Sequence, residues 1–181
     1  MKKTFTEILI QMIPVVAGIL IALFINSWNE QRKDEKYMDE IFKSIHQELT
    51  ESKIAIEQII PKQKRLMDSM RHYSSNPELS IMQIAEKAGG MHAPQIRTNA
   101  WIAMSNRKIE LVDFERIKVL SDIEEGKELL KQKLSYLMNF GYANMQDTAT
   151  NKKQTIVILL MEIISTENSI KKQIEEYESL D

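Results

Sequence analysis

The chain has 181 residues, 43% hydrophobic and 28% charged, with a formal net charge of -2 and no cysteine. That balance offers no basic footprint for nucleic acid, and without cysteine there is no disulfide framework, thiolate nucleophile or cysteine metal site. Five glycines and four prolines argue against a β-sandwich or a disordered tail.

After a short tail, residues 1–7, the first element is the run Ile8 to Trp28, ILIQMIPVVAGILIALFINSW, which holds no charged residue. As a helix it spans roughly 30 Å, the thickness of a bilayer's hydrocarbon core, and the sequence predicts a transmembrane helix over residues 8–28. A secretory signal has a shorter apolar region, roughly 7–15 residues, ending in a small-residue cleavage site, whereas this run continues into FINSWNEQR. Trp28 stands where an interfacial aromatic belongs, with Phe5 as the matching ring at the other end. Pro14 lies inside the span, where neighbouring groups in membrane helices tolerate it. Gly18 and Ala22 form a small-xxx-small pair that would let two such helices approach closely, although both residues are also common in membrane helices generally. Lys2 and Lys3 precede the span, and Arg32, Lys33 and Lys36 follow it. A short basic N-terminus ahead of the first apolar segment favours the N-terminus inside and the rest of the chain outside the cytoplasm.

Neither Gly nor Pro separates Trp28 from the next segment, so the helix is expected to continue as a stalk and first bundle helix over residues 29–73. Apolar residues recur at Tyr37, Ile41, Ile45, Leu49, Ile56 and Ile60, one face of an amphipathic helix. Pro61 is expected to end or kink it, with Leu66, Met67 and Met70 carrying the periodicity to His72. Residues 74–112 read as loops and short helices: Ser80 can cap IMQIAEKA, Gly89 and Gly90 can terminate it, and Thr98 or Asn99 can cap AWIAMSN. Residues 113–181 hold two long helices, one opened by Asp113 with Gly126 and Gly141 as weak points, the other running from about Asn151 to Leu180. The run TIVILLMEII in the last helix is too short to span a bilayer and is interrupted by Glu162. The predicted fold is all-α: one transmembrane helix continuing into a stalk, then an antiparallel helical bundle.

Chemistry-bearing constellations are absent. His46, His72 and His92 are far apart in sequence and none has a ligand at a recognised spacing. Asp68 and His72 can share a helix face, where a surface contact is the ordinary outcome. Gly89–Gly90 has no strand before it and no Lys-Ser after it, so it is no phosphate loop. Met67, Met70, Met82, Met91 and Met104 concentrate in the middle of the chain; such methionines more often fill a core than line a binding groove. Trp101 reads as a core plug. No catalytic, cofactor-binding or metal-binding residue is expected.

The run GILIALFINSWNE, Gly18 to Glu30, with Glu7 upstream, resembles a large family of uncharacterised bacterial single-pass membrane proteins, a domain of unknown function. Its signature is close to G-E-I-x-L-V-x-x-G-I-L-I-A-L-x-I-N-x-W-N-E, followed by a charged helix. Here Thr6 replaces the usual Gly and Pro14 a usual aliphatic residue. TNAWIAMSNRKIELVDFERIKVLSDI is similar to a second, looser segment in which Gly is usual at the position of Asn106. The likeness extends over nearly the whole chain. It implies an inner-membrane anchor with an extracytoplasmic helical domain, and it implies no activity.

Two functions are consistent with these readings. The first is a non-enzymatic, membrane-anchored interaction or scaffold protein that binds itself or another envelope protein, with the lipid bilayer as its other partner and no nucleic acid or small-molecule substrate. The second is an extracytoplasmic ligand-sensing bundle that works through a partner, for which a pocket rimmed by Arg97, Arg107 and Arg116 would be the mark.

Overall fold

The structure, a computed structural model, describes the backbone of residues 2–180, with side chains from residue 12 onward. Ile8 at the head of the predicted span, and Phe5, Glu7, Lys2 and Lys3 before it, lie outside the described side chains. The described residues form α1 (Lys2–His72), α2 (Ile81–Ala88), α3 (Asn99–Ser105), α4 (Phe114–Ala143) and α5 (Thr150–Glu178), with one 3-10 turn at Ile109–Leu111. No strand occurs among them. The fold is all-α, as the periodicity predicts. The chain divides into two units, Met1–Lys43 and Ser44–Asp181, and α1 contributes to both.

In the first unit α1 passes through Pro14 without a break in helix. The residues from Met12 to Trp28 are exposed throughout. Beyond them the helix carries its own support at one-turn spacing. Asn26 donates to Glu30 at 3.2 Å, Gln31 to Glu35 at 3.0 Å, and Lys43 pairs with Asp39 at 2.7 Å. Each such exposed pair, screened by solvent, supports the helix only weakly. Among the described residues α1 is the one helix long and apolar enough to cross a membrane.

The second unit is a bundle of α4, α5 and the part of α1 from Ser44 onward. The predicted apolar faces become its core. Ile45, Leu49, Ile56, Leu66 and Met70 from α1 are buried with Leu120, Ile123, Leu130 and Leu137 from α4 and Ile156, Leu160, Ile163, Ile170 and Ile174 from α5. Pro61 does not end α1, which continues to His72. Contacts along the helices fix their directions. Lys53 pairs with Glu178, Glu57 with Lys171, Gln63 with Glu167, and Lys153 reaches the carbonyls of Tyr73 and Asn76. α1 and α5 are therefore antiparallel. Arg116 donates to the Leu180 carbonyl and Lys133 to Thr166, so α4 is antiparallel to α5 as well. With α1 and α4 running the same way, the segment between them must return the chain along the bundle.

That return is made by the short elements. Ser80 accepts from the Gln83 amide while the Gln83 side chain accepts from the Ser80 amide, a complete capping box on α2. The next two amides of α2 donate across to α4–α5 loop carbonyls, Ile81 to Asp147 at 3.1 Å and Met82 to Met145 at 2.9 Å. Gly89 ends the helix at φ +94°, and Gly90 follows at +91°, a left-handed pair that glycine adopts without steric cost. Asp113 caps α4 by accepting from the Arg116 amide at 2.9 Å, as expected. Thr98 occupies the position before α3, but its side chain does not cap that helix. Its hydroxyl instead accepts from Lys127 at 2.7 Å.

Candidate functional site

Two places concentrate chemistry beyond packing, one in each unit. In the first unit the apolar run gives way to polar residues around Trp28. The Arg32 guanidinium lies 4.9 Å from the centre of the Trp28 ring, within range of cation–π attraction. Ala22, Ile25, Asn26, Trp28, Asn29 and Arg32 line an open groove of about 540 Å³ along this face. Gly18 lies one turn before Ala22, and a Cβ added to it meets nothing within 4 Å. The Gly18–Ala22 face is unobstructed within the described chain.

In the second unit a polar cluster is sealed inside the bundle. Gln63 of α1 donates to Glu167 of α5 at 2.7 Å and to the His92 carbonyl at 3.1 Å. It thereby ties the two helices to the chain that follows Gly90. Glu167 is 0% exposed and Gln63 1%. Gln63 Oε1 and Glu167 Oε2 have no hydrogen-bond partner among the described residues. Burial, opposed only by the bond from Gln63, pushes the Glu167 carboxyl up to about 7. A carboxyl of this kind holds its proton to near neutrality and then has a hydroxyl to donate, where the ionised form has only acceptors.

A buried cation sits at the head of α5. Lys153 is 0% exposed, and its ammonium donates to the Tyr73 and Asn76 carbonyls. Burial lowers its pKa below the ordinary lysine value, with Asp147 acting against the shift. Neither Glu167 nor Lys153 is among the residues singled out from the sequence. The signal was present: both fall in register with Ile156, Leu160, Ile163, Ile170 and Ile174 on the buried face of α5. A charged residue at an apolar register position marks a group that must find an internal partner.

Of the three arginines of the sensing hypothesis, Arg97 and Arg116 hold separate partners. Arg97 pairs with Glu51, and its amide donates to Ser52 Oγ at 2.9 Å. Arg116 pairs with Asp113 and donates to the Leu180 carbonyl. The groove at Arg116 is lined by Asp113, Phe114, Glu115 and Leu180, without the other two arginines. The histidines also stay apart: His72 meets Tyr73 edge-on at 4.6 Å, and His92 Nε2 lies 2.9 Å from the Gly89 carbonyl. Asp68 pairs with Arg71 at 3.7 Å. Among the described residues no three of His, Asp and Glu converge on a point that could hold a metal.

Met70 and Met104 are fully buried, Met82 is exposed, and Trp101 is 5% exposed on the inner face of α3. The methionines of the central segment are thus divided between core and surface, and Trp101 is a core residue. α5 buries Ile156, Val157, Leu160, Ile163 and Ile164 in the bundle, so one face of TIVILLMEII is core, while Ile158 and Met161 stay exposed.

No curated protein and no solved structure matches the chain. Residues 11–107 match a family of unknown function. The match takes in most of the apolar run, the rest of α1 and the short helices α2 and α3, and stops before α4 and α5. It covers more than half of the sequence, and the protein belongs to this family, DUF6090.

Proposed function

We propose that this protein is a single-pass, membrane-anchored helical interaction protein without enzymatic activity. Residues 8–28 cross the bacterial inner membrane, with the N-terminus cytoplasmic and the bundle periplasmic. The bundle binds a second copy of itself or another envelope protein. One observation carries the reading. The apolar residues from Met12 to Trp28 stay exposed, Phe24 at 73% and Ile13 at 63%, while the bundle closes a complete core without them. Contiguous apolar surface of that extent is unstable in water, and its length matches a bilayer. The interaction half of the reading rests on the open Gly18–Ala22 face, where close helix approach is possible.

The test has three parts. The full chain should stay with membranes through a carbonate wash. A C-terminal reporter active only outside the cytoplasm should be active. Crosslinking in membranes should trap a dimer or a defined heteromer, and Gly18→Leu should abolish a dimer without unfolding the bundle. Release by carbonate defeats the anchor, a cytoplasmic C-terminus defeats the orientation, and a strictly monomeric chain with no crosslinked neighbour defeats the interaction role.

A further inference from the structure

The end of the apolar run is built asymmetrically. Along one face of α1 the groove begins with Ala22 and Ile25 and ends with Asn26, Asn29 and Arg32, apolar in one half and polar with a cation in the other. Arg32 is four residues beyond Trp28, which in a helix is about 6 Å further along the axis. The polar region on each side of a bilayer is of similar depth, roughly 5–7 Å. A Trp28 ring at the edge of the hydrocarbon therefore sets Arg32 at the depth of the lipid phosphates.

The charge on Arg32 is also left available. Of the acidic residues around it, Glu30 accepts from the Asn26 amide and Glu35 from the Gln31 amide. No ion pair to Arg32 occurs among the described residues, whereas Lys36 and Lys43 in the same unit pair with Glu40 and Asp39. Its one described partner is the Trp28 face at 4.9 Å. Stacking on an indole holds the guanidinium plane without consuming its five N–H donors. A planar fork of donors is suited to two oxygens of one phosphate. Asn29 adds amide donors in the same groove, and Ala22 and Ile25 offer an apolar track for an acyl chain.

We propose that this groove is a binding site for one anionic phospholipid, with the phosphate on Arg32 and Asn29 and an acyl chain along Ile25 and Ala22. The inference rests on the membrane anchor alone and adds a specific ligand to it; a second helix packed on Ala22 would compete with the acyl chain for that position. The site is local to α1 and requires no partner protein.

Native mass spectrometry of the full chain, released from detergent micelles doped with phosphatidylglycerol or with phosphatidylcholine, reads bound lipid directly. The wild type should retain phosphatidylglycerol in preference. Arg32→Gln should lower that retention about ten-fold, the scale of one charge-assisted hydrogen bond, while Lys33→Gln, which removes the adjacent charge from outside the groove, should lower it much less. Equal loss in the two variants means diffuse attraction to an anionic surface and overturns the site. Equal retention of the two lipids by the wild type overturns it too. Displacement of the lipid by millimolar inorganic phosphate would show a simple anion site in which the acyl chain plays no part, and that also defeats the proposal. A chain released from membranes by carbonate fails at the anchor, which separates failure of the underlying reading from failure of the lipid site.

Discussion

Gln63 Nε2 lies 2.7 Å from Glu167 Oε1 in the sealed interior between α1 and α5, and the same nitrogen lies 3.1 Å from the His92 carbonyl. The carboxyl is raised from 4.5 to about 7 chiefly because burial penalises its charge. Below pH 4.5 it is protonated in both folded and unfolded chains and contributes no pH dependence. Between about 4.5 and about 7 the folded state keeps a proton that the unfolded chain has released, so stability falls as pH rises. Above about 7 the full cost is present, at most about 3 kcal/mol for a rise of this size. Glu167→Gln should remove that slope. We expect the variant to be more stable than the wild type at pH 8 and similar to it at pH 5, measured by urea unfolding of the full chain in detergent. A wild type and variant with parallel pH profiles would mean that Glu167 is not held in a dry site.

Gly126 and Gly141 share a helix and a poor helix propensity, but they differ in what faces them. A Cβ at Gly126 would stand 2.8 Å from Ile170 Cγ1, a methylene next to the branch point of a fully buried side chain. A Cβ at Gly141 would meet the Met91 terminal methyl at 3.1 Å, the far end of a flexible chain. Gly126→Ala should therefore destabilise: overpacking costs about 1–3 kcal/mol, against about 1 kcal/mol gained in propensity. Gly141→Ala should be neutral or stabilising by up to about 1 kcal/mol, since Met91 can turn aside. Thermal unfolding of the two variants separates them, and equal effects would contradict the close α4–α5 approach at Gly126. Ile170→Ala costs about 2–5 kcal/mol by itself, and in that background Gly126→Ala should cost less than it does in the wild type.

The same contrast shows what a sequence can carry. Helix periodicity, the Ser80 and Asp113 caps and the Gly89 stop are local signals, written within a few residues of the element they shape, and the structure follows them. Gly126 reads locally only as a weak point; its use as a contact surface depends on Ile170, which sits 44 residues away only once α5 has folded back. Thr98 reads as a cap because hydroxyl residues before helices usually are, yet Lys127 of α4 takes that hydroxyl. Arg97 likewise finds Glu51, an acidic neighbour 46 residues away that spacing does not announce. The apolar run from Ile8 to Trp28 is legible at once, whereas Arg32 stands out only when the bonds from Asn26 and Gln31 to its acidic neighbours are seen.

With Thr98 diverted, the start of α3 is served from α1. Glu48 Oε2 accepts from the Ala100 amide at 3.0 Å, and Glu48 Oε1 accepts from the Asn99 side chain at 3.4 Å. A carboxylate at a helix N-terminus satisfies an orphan amide and faces the positive end of the helix dipole. Glu48→Ala should cost about 1 kcal/mol, the usual value of a lost cap, and the loss should be local. Hydrogen exchange of Ala100 and Trp101 should quicken while the α4 and α5 core amides keep their relative protection. Unchanged exchange at Ala100 would mean that Glu48 does not cap α3.

Lys153 gives the sharpest test of how α5 is held against the end of α1. Its ammonium is buried and donates to two carbonyls, those of Tyr73 and Asn76, in the turn that follows α1. Lys153→Met keeps the volume of the side chain but leaves both carbonyls without that donor. A buried group deprived of its partner costs about 1–3 kcal/mol, partly offset here because the desolvation of the charge is relieved as well. We expect a net loss, with faster hydrogen exchange across residues 73–79. The pH dependence has a defined sign. Burial lowers the Lys153 pKa below 10.5, so as pH rises through the folded value the folded state loses its proton before the unfolded chain does, and wild-type stability increases. The advantage of the wild type over Lys153→Met should therefore widen from neutral toward alkaline pH. A gap that stays constant or narrows over that range would mean the ammonium is solvated rather than enclosed, and the turn is then held by other contacts.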